Sequence, residues 1–172
     1  GAKHCDTYAL FGEPRAQVTQ LMSRINAEAA QHERQPNYNL SFRPIIGATE
    51  EGAWRKAKAI LAGVEASGGG GGQGVPQAET ARRLMRLIEG GEIQDECLWV
   101  PIAAAAKGSG NSTALVGTAE QVAEAIAKYY DLGVKGVLIR GFDPFNDAIE
   151  YGHELIPQIR EKVAARDAAK TA

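Results

Sequence analysis

The stretch STALVGTAEQVAEAIAKYYDLGVKGVLIRGFDP, residues 112–144, decides the fold. Thr118, with Gln121 three residues on, forms a capping box, after which Val122, Ala125, Ile126 and Tyr129 recur at helical spacing. Gly133 stands where that helix should stop. Residues 136–140, GVLIR, form a short apolar run of the kind that makes a fully buried parallel strand. Asp143 then caps and Pro144 opens a further helix, whose apolar face takes in Ala148, Ile149, Leu155, Ile156 and Ile159, with a kink or restart at Pro157.

The same unit precedes it twice. Residues 7–11, TYALF, are β-leaning and stopped by Gly12. From Arg15 to Glu33 a stripe of Val18, Leu21, Met22, Ile25 and Ala29 predicts a helix. Residues 38–47 are strand-like, with Pro44 expected to break the pairing near the end. Thr49 caps a helix that buries Ala53, Trp54, Ala57, Ile60, Leu61 and Val64, with Glu50 and Glu51 in its first turn. Strands separated by helical crossovers imply a parallel sheet.

The second unit is expanded. Residues 67–113 begin in a glycine tract with almost no side chain to pack, then include a helix near 78–89 with Ala81, Leu84, Met85 and Ile88 on one side. CLWVPIAAAA, residues 97–106, is apolar without a clear period, so its pattern fits helix and strand alike. An excursion of this length in a compact α/β chain is typically a lid or a binding loop. GSGNS, residues 108–112, lies in a loop without the lysine and hydroxyl pair of a nucleotide-binding phosphate loop and is expected to belong to that cover, the alternative being a plain connector.

Composition narrows the classes. The 172 residues, 44% hydrophobic, suffice for one domain with a sizeable core. With 19 basic against 21 acidic residues the formal charge is −2, and no basic stripe suits nucleic acid. Cys5 and Cys97 are far apart without metal-ligand spacing; Cys5 is expected to be a small buried filler. No run of 18 apolar residues predicts a membrane span, and a cytoplasmic setting is expected.

HCDTYALFGEPRAQV, FRPIIGATEEGAWRKA, residues 112–144 and YGHELIP follow one another in an order that resembles the luciferase-like flavin monooxygenases, most of all the alkanesulfonate monooxygenases. The resemblance implies a TIM (β/α)8 barrel, of which this chain would be the C-terminal part: its last three strand-helix units plus the insertion, one partial domain over 1–172. It also implies reduced FMN supplied by a separate flavin reductase, oxygen as co-substrate, and a small organosulfur substrate such as an alkanesulfonate. The remaining partner would be the N-terminal barrel half or a second copy of the chain. The alternative is an inactive fragment that only assembles with itself or with that half.

By the same resemblance, Arg43 matches the family's active-site arginine and is the candidate for the sulfonate or the reacting oxygen; the alternative is an ion-pair partner at the barrel mouth. Lys107 stands near where the sulfonate enzymes close an arginine over the site. It neutralises an anion but makes no bidentate contact. Asn111 and Ser112 are candidate flavin contacts. Phe11, Arg140 and Phe142 are candidate substrate contacts, with Phe11 alternatively a filler of the barrel top and Arg140 needing a partner or ligand. Ile45, Phe142 and Pro144 replace polar residues of the sulfonate enzymes; for Asp143 helix capping stands beside catalysis.

Overall fold

The computed structural model describes residues 1–68, 78–106 and 113–171. Lys107, Asn111 and Ser112 lie outside them. The elements run β1 (Thr7–Phe11), α1 (Arg15–Ala30), β2 (Asn37–Ile46), α2 (Glu50–Ala66), α3 (Glu79–Arg86), a 3-10 turn (Leu87–Gly90), β3 (Ile93–Gln94), β4 (Leu98–Trp99), α4 (Pro101–Ala105), β5 (Ala114–Gly117), α5 (Ala119–Asp131), β6 (Gly136–Ile139), α6 (Pro144–Glu150), a π-turn (Tyr151–Leu155) and α7 (Ile156–Thr171).

β2 is the spine. Its first half pairs in parallel with β1 on one edge (Phe11 opposite Ser41) and with β6 on the other (Phe42 opposite Ile139). Its second half pairs with β5, Arg43 opposite Ala114 and Ile46 opposite Gly117. Carbonyl directions show which edge β5 occupies. Ser41 accepts from Gly12 beyond β1, and the Arg43 amide, two residues on, donates to Thr113 before β5 (3.0 Å). Alternate residues of a strand bond to the same side, so β5 takes over β1's edge. β4 and β3 extend the sheet antiparallel from β5. Among the described residues neither β1 nor β6 has a second strand beside it.

Alternation explains the burial. Tyr38, Leu40 and Phe42 point to the helix-covered face, where they meet Val18 and Met22 of α1, Val122, Ile126 and Tyr129 of α5, and Leu155. Phe42 is fully buried, its ring tilted against Tyr129 at 5.0 Å. Gly12 is required there: a Cβ would lie 2.0 Å from the Phe42 ring. On the opposite face of this half Ala9 and Leu138 are exposed, and Asn39 and Ser41 are half-buried. From Arg43 onward both faces of β2 are covered. Ile45 joins Ala53, Ala57, Trp99 and Ile102, while Ile46 joins the first core. NYNLSF therefore alternates and RPII does not.

Several expectations are corrected. Pro44 ends the pairing of β2 with β6 as expected, the last bond there running from the Arg140 amide to the Phe42 carbonyl, but the strand itself continues beside β5 to Ile46. The sheet has six strands where three were expected, because β3, β4 and β5 are two to four residues long and exist through pairing. The 3-10 turn shifts the helical phase after Arg86, so Leu87 is buried and Ile88 exposed. Cys5 is exposed and Cys97 buried. On α6 the buried residue is Asp147, and Ala148 and Ile149 are exposed. Among the described residues no helix is long and apolar enough to cross a membrane.

One surface network ties the excursion to the scaffold. Glu96 accepts two bonds from Arg15 (2.6 and 3.0 Å) and one from Lys128 (2.6 Å). Arg15 above all holds its carboxyl at about 2, below the ordinary 4.5. A depressed folded value means that the stabilisation is complete above the unfolded value and is lost as pH falls through about 2. Half-exposure limits it to about 0.5–1 kcal/mol. Glu96→Gln is expected to cost that much in urea denaturation at pH 7, with the difference from wild type closing as pH falls from 4.5 to about 2; a constant difference would refute the pairing.

Candidate functional site

Arg43 sits at the handover point of β2, with its side chain carried on the parity of Ser41 and Ile45. The residue is 8% exposed. Its Nη1 donates to the Gly141 carbonyl at 2.7 Å, and its guanidinium carbon lies 4.7 Å from the centre of the Phe142 ring. Among the described residues no carboxylate pairs with it, and its buried Nε has no hydrogen-bond partner. Burial first, and the charge of Arg140 second, lower its pKa, against a smaller opposing effect of Tyr151. A guanidinium stays protonated in proteins. Among the described residues this is therefore a buried cation without a counter-charge, in a geometry suited to an anion.

The loop after β6 shapes the site. Gly141 and Phe142 meet Arg43 directly, while the Arg140 side chain is exposed at the rim. Asp143 caps α6, accepting from the Asn146 backbone (3.3 Å) and side chain (2.6 Å), which accounts for its lowered pKa and gives it a local structural job. Tyr151 donates its hydroxyl to the Pro44 carbonyl at 2.5 Å, locking the π-turn onto β2. Phe11, half-buried, packs against Leu84, Leu87 and Val100 of the excursion. Ile45 is 1% exposed in an apolar cluster with Ala53, Ala57, Trp99 and Ile102.

The structure thus joins Arg43 and Phe142, puts Arg140 within electrostatic reach, and sets Phe11 beneath α3. Sequence reasoning missed Asp147. This carboxylate is 5% exposed and accepts from the Phe142 and Asp143 amides (2.7 and 2.9 Å), with Lys56 of α2 at 3.4 Å. An acid in the first turns of a helix just behind a Gly-aromatic loop was the available signal.

The model of the luciferase-like monooxygenase family matches residues 1–136. The chain belongs to this family. Among solved structures, a luciferase-like monooxygenase fold is shared with DmoA from Hyphomicrobium sulfonivorans (TM-score 0.67, 16% identity, 94% of this chain and 38% of that one). EDTA monooxygenase from Chelativorans sp. BNC1 is similar (0.64, 18%, 94% and 41%), as is a riboflavin lyase solved with modified FMN and riboflavin (0.62, 19%, 94% and 40%). The chain spans about two fifths of the length of these relatives. In luciferase-like monooxygenase terms, the curled sheet of β1, β2 and β6 resembles part of a TIM barrel.

Proposed function

We propose that this chain is the C-terminal part, the last three strand-helix units and their insertion, of a reduced-FMN-dependent monooxygenase that oxidises a small organosulfur anion such as an alkanesulfonate. The observation that carries the reading is Arg43, a buried cation for which the described residues offer no carboxylate partner, at the carboxyl end of a barrel strand, where family catalysis is located. Arg140 adds positive potential at the rim, and Lys107 is the proposed closing cation over the anion.

The described residues fit the reactive end of a flavin site: an unpartnered Arg43 Nε beside Phe142, and a sheet face of Ala9, Asn39, Ser41 and Leu138 for the rest of the barrel to cover. The modified FMN seen with riboflavin lyase and the FMN seen with the oxygenating constituent of 3,6-diketocamphane monooxygenase from a Pseudomonas putida plasmid support a flavin here. Bound reduced flavin supplies the electrons that activate oxygen. The chain's own residues bind and orient the anion through Arg43, shield it with Phe142, and reach the cofactor through Asn111 and Ser112. Phe11 bounds the pocket from the insertion side. A separate flavin reductase supplies the reduced cofactor. The free edges of β1 and β6 take up the remaining barrel half, or a second copy of this chain.

The test is anaerobic calorimetry on the tagged chain isolated with the polypeptides that accompany it, loaded with reduced FMN. Hexanesulfonate is expected to give a saturable heat that hexanol does not, and sulfite is expected on admission of oxygen. No sulfonate heat and no sulfite would withdraw the reading.

A further inference from the structure

Arg43 does not hold its pose by contacts of its own element. Among the described residues, the carbonyl of Gly141 that accepts from it and the Phe142 ring beside it both belong to the loop after β6, and the Asp147 side chain grips that loop. One oxygen of Asp147 accepts from Phe142 and Asp143 together, and its other oxygen faces Lys56, which is itself bonded to Glu150 at 3.0 Å. Two amide donors on one carboxylate oxygen fix the peptide planes of 141–143, and with them the direction of the Gly141 carbonyl. The fit is close: a Cβ on Gly141 would fall 2.3 Å from both the Asp147 Cβ and Oδ2. Acid and loop are thus matched in shape as well as charge.

We infer that Asp147 is a positioning residue for anion recognition, acting through the 141–143 loop on Arg43 and braced from α2 by Lys56. The inference rests on the reading of Arg43 as the anion-binding group, and it accounts for a buried carboxylate on a helix whose apolar residues, Phe145 and Ile149, face solvent. Asp147 touches no ligand in this scheme. Its effect is on where the guanidinium points.

The test uses two readouts on the accompanied chain: the NMR signal of the Arg43 Nε–H, assigned by its absence from Arg43→Lys and displaced by the Phe142 ring, and hexanesulfonate affinity. Asp147→Ala is expected to move the signal toward that of a free arginine and to weaken binding about ten-fold, the worth of one or two lost charge-assisted bonds. Asp147→Asn keeps an acceptor oxygen and is expected to restore both. Asp147→Leu keeps the size without the acceptor and is expected to behave like Ala, which guards against a simple packing effect. Leu restoring the signal as well as Asn, or Ala leaving it in place, overturns the inference. If hexanesulfonate fails to bind wild type, the reading of Arg43 falls, while the signal alone still decides what Asp147 does.

Discussion

Arg43→Met is expected to make the protein more stable and useless. Methionine fills the stem's volume beside Phe142 and removes a charge for which the described residues offer no counter-charge. Replacing a buried ionic group by a well-packed apolar one gains about 1–4 kcal/mol where pairing is good, and here only the Gly141 bond and the ring contact are given up. A gain of about 1–2 kcal/mol is the expected balance, some 2–8 °C in melting temperature for a chain of this size. On the proposed function, sulfonate-dependent turnover is expected to fall by about a hundred-fold or more, because an oriented charge is lost where the anion is proposed to sit. Scanning calorimetry and sulfite release check the two halves. A variant that loses stability would show that Arg43 is neutralised in the native assembly, and the anion-binding reading would go with it.

Phe42→Ala is expected to produce the largest loss of stability of any single change at the core. The ring is fully buried between Gly12 and Tyr129, where α1, α5 and the sheet converge. Removing it costs the transfer of an aromatic side chain plus the cavity left behind, about 3–5 kcal/mol. The space cannot refill from Gly12, which has no side chain, or from Tyr129, whose hydroxyl is held by the Glu13 carbonyl at 2.7 Å. Urea unfolding should show the midpoint falling with an unchanged slope. A loss under about 1 kcal/mol would mean that the β2–α5 contact is not the centre of the core.

What could be read in advance was whatever local chemistry decides. The Thr118–Gln121 capping box, the stop at Gly133 and the Asp143–Pro144 opening are all present, since each is a contact between near neighbours. The alternation in NYNLSF likewise announces a half-buried strand. The short strands were hidden. Leu98–Trp99 and Ala114–Gly117 become strands only by lying beside each other and beside β2, a partnership of distant residues. At the site, Arg43 was pointed to by family likeness. Asp147 was not, because its two partners are backbone amides that carry no side-chain identity, and Ala148 and Ile149 beside it mimicked an apolar face.

The handover on β2 has a bearing on how such enzymes are recombined. The amide of Arg43 is held by Thr113, the last residue before the strand that returns from the excursion. Grafting a different excursion would transplant part of the arginine's backbone scaffold along with the new cover. Seams placed before β2 and after Gly117 keep Arg43 and Thr113 in one cassette, so that a donor's excursion arrives with the register it was selected to work against.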